Sequence, residues 1–168
     1  MTLAELMVAT SIGSIVALGL ASLSFFTARS FAAMSNYVDL DYRSRKALDT
    51  MSREIRQANR MTDSTATSLM FQDYDGGNLQ YLYDKEAKTL SRIKNGVPDS
   101  KPLLEECDTL AFSVYQRNPI GGTYDQYAAA TASTCKLVQL RWVCSRKILG
   151  VAKNTESVQS AKIVIRKQ

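Results

Sequence analysis

Two sets of residues carry chemistry by type and position. The first is Glu5, an acid at the head of an apolar run: from Leu6 to Ala28 no residue is charged over 23 positions. A carboxylate at the edge of such a segment is costly to desolvate unless it is neutralised or paired. The closest available cation is the α-amino group of Met1, one helical turn away in the same chain or on a helix stacked alongside. A Glu5 that merely rests in a headgroup layer is the other reading. The second set is Cys107, Cys135 and Cys144. They contain no C-x-x-C spacing, which argues against a zinc ribbon or a thioredoxin-type motif. Cys135 and Cys144 bracket one predicted strand, and that stretch of extended chain spans about 30 Å, far beyond disulfide reach. If the strand predicted at Thr109–Gln116 pairs antiparallel with the one at Lys136–Cys144, Cys107 falls beside Cys144. A Cys107–Cys144 bridge is then expected in an oxidising compartment, with Cys135 left over; three reduced thiols are the alternative.

The chain has 168 residues and a formal net charge of +5, with no histidine. Without histidine, Ser-His-Asp and Cys-His nucleophiles, H-E-x-x-H zinc sites and imidazole proton shuttles are excluded. Asp73, Asp75 and Asn78 cluster oxygens that a hard cation would accept, but D-Y-D-G-G-N does not follow the EF-hand order and reads as a hairpin turn. Glu105 and Glu106 fall in a loop ahead of a strand with no accompanying cleft signal. No catalytic residue, cofactor or metal is expected.

These residues must be positioned by two kinds of element. As a helix the run Leu6–Ala28 is about 35 Å long, enough to cross a bilayer core. A secretory signal peptide fits poorly, because no Lys or Arg precedes the run and its apolar core is too long. A plain anchor has an orientation problem: the nearest side-chain cation, Arg29, follows the span, which would place the rest of the chain in the cytoplasm. No proline occurs before Pro98. In Asp39–Arg60 the residues Leu48, Met51, Ile55 and Ala58 share one helical face, with Asp49 and Arg53 as an i,i+4 pair. The two stretches are predicted to join into one helix of about 58 residues, on the order of 85 Å long. Gly13 and Gly19, with Ser11, Ser14, Ser22 and Ser24, weaken its apolar half, because each Gly costs about 1 kcal/mol against Ala. That half is expected to stretch or unwind near Gly13–Gly19 when packed in a polymer.

The residues Met1-Thr2-Leu3-Ala4-Glu5-Leu6-Met7-Val8 resemble the mature N-terminus of type IV pilins and pseudopilins. The resemblance implies cleavage before Met1 by a prepilin peptidase, methylation of the Met1 amine, and an assembly role for Met1 and Glu5. Met1 stands where Phe is commoner, and Ala4 where a larger aliphatic residue is usual; neither disturbs the pairing of amine and carboxylate. The stretch Asp41–Ala58 (DYRSRKALDTMSREIRQA) is similar to J-type minor pseudopilins of type II secretion and W-type minor pilins. The family implies partners: copies of this chain or other pilins, the inner membrane before assembly, and an assembly ATPase with its platform. It implies a location in the inner membrane and then in a surface filament or periplasmic pseudopilus. A monomeric membrane-anchored binding module is the rival from another class.

Beyond Met61 the pattern changes to short strands and turns: Ser68–Asp73, Asn78–Tyr83, Thr89–Lys94, Thr109–Gln116, Lys136–Cys144 and Ser157–Arg166. The expected fold class is α+β, a long N-terminal helix on a mainly antiparallel sheet, divided as 1–28 apolar helix, 29–60 amphipathic helix and 61–168 globular domain. Asn118–Thr134 reads as an exposed loop. Residues 61–135 carry 6 basic and 10 acidic side chains, and residues 136–168 carry 8 basic and 1 acidic. That asymmetry reads as a solvated strand face or as charge complementarity between subunits; nucleic acid is not expected, because the basic segment has few aromatics.

Overall fold

Uninterrupted helix-compatible sequence becomes uninterrupted helix. The structure is a computed structural model that describes residues 2–117, 126–129, 131–148, 150 and 156–167. Helix α1 runs over Leu3–Gln57, 55 residues, or about 80 Å. It is slightly shorter than expected because Ala58 turns to extended backbone while still donating to the Glu54 carbonyl. Asn59 then pairs with Gln72 and leads into the first strand.

The strands are β1 (Arg60–Ser64), β2 (Ser68–Gln72), β3 (Asn78–Asp84), β4 (Thr89–Lys94), β5 (Val97–Pro98), β6 (Cys107–Arg117), β7 (Gln126–Ala128), β8 (Leu137–Ser145) and β9 (Glu156–Val164). The fold class is α+β as read from the sequence, but the strands form two sheets. One has the order β1-β2-β3-β4-β5, the other β7-β6-β8-β9, and every pairing is antiparallel. Three strands escape a pattern-based reading: β1 is polar at four of its five positions (Arg60, Thr62, Asp63, Ser64), and β5 and β7 have two and three residues. The turn Asn95-Gly96 joins β4 to β5 with both residues at positive φ, the mirror-image turn that two-residue hairpins favour. A Cβ on Gly77 would overlap the Asn95 side chain, whose Oδ1 accepts from the Asn78 N–H, so this corner requires glycine. Within the loop expected at Asn118–Thr134, residues 118–125 and 130 lie outside the described residues.

Only the second half of α1 is packed. Leu40, Ser44, Ala47, Met51 and Ile55 are its buried positions, a stripe at spacings of three and four that lies against β8 and β9. Leu48, expected on that stripe, is only half-buried, and Ala47 holds the inward position. Asp49 and Arg53 form no ion pair among the described residues. Phe71, Leu79 and Tyr81 from one sheet and Val138, Leu140 and Trp142 from the other complete the core; Trp142 is 1% exposed, as its strand pattern implied.

Candidate functional site

The N-terminus begins with a reciprocal cap. The Glu5 N–H donates to the Thr2 hydroxyl oxygen at 3.3 Å, and the Thr2 N–H donates to Glu5 Oε2 at 2.8 Å. This capping box satisfies two of the unpaired donors of the first turn and holds the carboxylate at the positive end of the helix dipole. Thr-x-x-Glu is legible in the sequence, yet attention to the charge of Glu5 passes over it. Met1, the expected partner of Glu5 and the expected methylation site, lies outside the described residues.

From Leu3 to Ala32 every side chain of α1 is exposed, and beyond it Met34, Tyr37, Val38 and Tyr42 stay exposed while Leu40 turns into the core. Phe25 is 74% exposed and Phe26 71%. The apolar stretch is long enough to cross a bilayer, and none of its most apolar 18-residue window is buried. Its hydroxyls are turned inward: Thr10, Ser11, Ser22, Ser24 and Thr27 each donate to the carbonyl four residues earlier. That removes the free donors that would be costly in an apolar surround. Apart from the helix's own adjoining backbone, no described atom lies within 4 Å of a Cβ placed on Gly13 or Gly19, and the helix is continuous through both.

The exposed apolar surface continues past the first charge. Beyond Arg29, Phe31, Met34, Val38 and Tyr42 lie at spacings of three, four and four and are 69%, 66%, 56% and 66% exposed. They form one stripe on the side of α1 away from the core. Apolar sequence thus runs from Leu6 to Val38 with Arg29 as its only charge, about 50 Å of helix against a bilayer core of about 30 Å. Periodicity alone could have found this stripe; a search for the longest uncharged run stops before it.

Where α1 meets the head, charges fix it. Arg146 Nε donates to both Glu106 carboxylate oxygens at 3.0 and 2.9 Å, Nη1 to Asn36 Oδ1 at 3.2 Å, and Nη2 to Asp39 Oδ2 at 3.1 Å. Arg43 joins Asp39 to Glu105, so both acids of the Glu105-Glu106 pair serve as anchors. The Arg43 hydrogen bond, opposed by burial and helped by Arg146, holds the Asp39 carboxyl below its usual range. At the other end of the packed segment Glu54 accepts from Arg92 at 3.0 and 3.1 Å and from the Tyr81 hydroxyl. Burial, then the Glu54 charge, pushes the Tyr81 phenol well above its ordinary value.

The turn oxygens considered for a cation are already matched. Lys94 Nζ lies 2.8 Å from Asp73 and 3.1 Å from Asp75, and their hydrogen bonds raise the lysine's pKa. Among the described residues no group of three or more Cys, Asp or Glu side chains is placed to hold a metal ion. A groove of about 500 Å³ between α1 and residues 101–105 is lined by Tyr42, Arg43, Lys46, Leu103 and Glu105 among others, and its acids are paired.

The register places Cys107 directly opposite Cys144, as strand pairing implied. Both are buried thiols in the structure, and Cys135 is a third, at the far end of β8. The long apolar helix on antiparallel sheets is a pilin-like architecture, and its apolar half is compatible with membrane anchoring. In comparisons with known proteins, no family model matches the chain and no curated protein matches its sequence.

Proposed function

We propose that this chain is a structural subunit of a type IV pilus-like filament, held in the inner membrane by the apolar half of α1 and then extracted into a helical polymer. The observation that carries the reading is the uncovered apolar surface of α1, which extends well past the length that lipid alone can cover. A monomeric anchor leaves Phe31, Met34, Val38 and Tyr42 in water, whereas neighbouring helices in a polymer cover them. Lipid is as apolar as a helix bundle, so transfer of residues 6–28 from one to the other changes little free energy, and close packing supplies the cohesion. Glu5 would pair with the Met1 amine of a neighbouring subunit and set the axial register. The antiparallel head would form the outer surface, and no catalysis is asked of the chain.

The pseudopilin-like stretch Asp41–Ala58 favours a second reading within the same class, a minor subunit that initiates or tips a type II secretion pseudopilus. Imaging of purified fibres, with identification of their dominant protein, tests both. Fibres built mainly of this chain support the major-subunit reading, and fibres in which it is a rare component support the second. A chain that stays monomeric in membranes under all conditions contradicts both.

A further inference from the structure

We infer that Cys107 and Cys144 form a disulfide that locks the α1 anchorage, closing the strand ends that carry Glu106 and Arg146. The bond is a modification site independent of whether the chain polymerises.

The geometry is specific to this pair. Cys107 and Cys144 are direct partners at the end of the β6–β8 ladder, beside the bulge that separates Cys107 from Thr109. The Ser145 N–H donates to the Glu106 carbonyl and the Cys107 N–H to the Lys88 carbonyl, so the two cysteines face each other without exchanging backbone hydrogen bonds. Such sites are the narrow ones of an antiparallel pair, with Cα atoms about 4.5 Å apart, inside the range a disulfide requires. Both side chains point into the core, and the Tyr83 hydroxyl pins the adjoining backbone by donating to the Cys107 and Asp108 carbonyls at 3.0 and 3.1 Å. Cys135 stands at the other end of β8, where the following Lys136 N–H donates to the Tyr115 carbonyl, roughly 30 Å along the strand from Cys144.

The surroundings tie this pair to α1. The Ser44 hydroxyl donates to Cys144 Sγ at 3.9 Å, and Ser157, buried and opposite Cys144 on β9, lines the same place. Small side chains there let the helix lie close to the sheet. Glu106 directly precedes one cysteine and Arg146 follows the other by two residues. Arg146 makes the contact with Asn36 and Asp39 on the helix, and Glu106 holds its guanidinium in place. A covalent tie between the strand ends therefore fixes the Glu106–Arg146 pair that grips the helix.

The step balances as thiol–disulfide exchange. Two Cys S–H bonds break, one S–S bond forms, and the two electrons and two protons reduce the disulfide of a small or protein dithiol oxidant to its thiols. Burial beneath α1 means the exchange occurs before the helix docks, and the finished bond is shielded from reductant.

The test uses the full chain in detergent micelles, refolded in a buffer of oxidised and reduced glutathione. Thiols are then counted in denaturant, and peptides are mapped by mass spectrometry. The expected result is one free thiol, on Cys135, and a Cys107–Cys144 linked peptide. Three free thiols, or a linkage through Cys135, overturns the site. For the lock, hydrogen exchange is followed in the oxidised chain and in a C107S/C144S double variant. The bridge closes a loop of about 37 residues, so removing it should raise the globally unfolded fraction by roughly two to three orders of magnitude. Exchange over residues 36–47 should speed up more than over residues 51–58. Equal protection of residues 36–47 in the two forms overturns the coupling to the helix, even if the bond itself is present.

Discussion

Arg146 reaches across 107 positions of sequence to Asp39, placing a guanidinium nitrogen 3.1 Å from a carboxylate oxygen on the helix. The same side chain grips Glu106 from the sheet, so one residue joins the shaft to the head at the level where α1 emerges. Arg146 is partly shielded, with about a quarter of its side chain exposed, while Asp39 and Glu106 are more open. Solvent screening therefore reduces what each pair contributes. Arg146→Met should lower the unfolding free energy of the full chain by about 1–2 kcal/mol, measured by urea titration in micelles with an unchanged m value. An unchanged midpoint would show that the contact contributes nothing to anchorage.

Stability should depend on pH at both extremes. Asp39 and Asp108 have pKa values lowered below the ordinary 3.8. Burial opposes the shift at Asp108 but is outweighed by hydrogen bonds from Lys88 and Ser145. Lowered acids contribute stability that is complete above their unfolded value and is lost as the pH falls through the folded one, so unfolding should become easier below about pH 4. Tyr81 has the opposite sense. Its folded pKa is raised above 10.0, so its contribution is complete below pH 10 and is lost as the pH climbs beyond it. Tyr81→Phe should remove that alkaline loss while costing about 1 kcal/mol at neutral pH through the missing bond to Glu54. Denaturant midpoints across the pH range check both limbs; an alkaline loss that persists in Tyr81→Phe assigns it elsewhere.

The exposed stripe gives a separable prediction. Met34 and Val38 are mostly exposed on the face of α1 away from the core, so Met34→Lys or Val38→Asp should leave the unfolding midpoint of the head within about 0.5 kcal/mol of the parent. The same variants should abolish or sharply reduce fibres, because a charge placed between packed helices is left unpaired. Fibres at the parental level would mean that this face is not covered by a neighbour.

Much of this was legible in the sequence because period and composition carry it. The stripe Met51, Ile55 and Ala58 is read from spacing alone, and Val138, Leu140 and Trp142 from alternation. The opposition of Cys107 and Cys144 follows once β6 and β8 are paired. What was not legible depends on tertiary context. A polar strand such as Arg60–Ser64 is recruited by its neighbour Ser68–Gln72 through hairpin geometry, not by its own apolar content. Arg146 gives no local sign that it reaches the helix, because its partners Asn36, Asp39 and Glu106 are brought together only by the fold. The division into two sheets likewise rests on pairing choices that strand patterns do not encode. The Thr2–Glu5 cap was readable as Thr-x-x-Glu, and it matters because it gives Glu5 a role inside its own chain as well as any role between chains.

The cap made by Glu5 and its proposed pairing with a neighbouring subunit come apart under substitution. Glutamine at the third helical position preserves a capping box, whereas loss of the Thr2 hydroxyl removes half of it and costs about 1 kcal/mol at the helix start. Thr2→Ala should therefore fray the first turn, seen as faster hydrogen exchange there, while leaving the Glu5 charge available for assembly and fibres abundant. Loss of fibres in Thr2→Ala with normal insertion would assign the cap, not the charge, to assembly.

The most direct measurement is electron microscopy of fibres from cells producing Glu5→Gln beside the parent chain, with membrane insertion and head folding monitored in both. The account predicts that Glu5→Gln inserts and folds normally, retains its helical first turn, and yields no fibres, because only the charge facing a neighbour's amine has been removed. Fibres as abundant and as regular as the parent's would contradict it, and would reduce Glu5 to a local helix cap on a membrane-anchored protein.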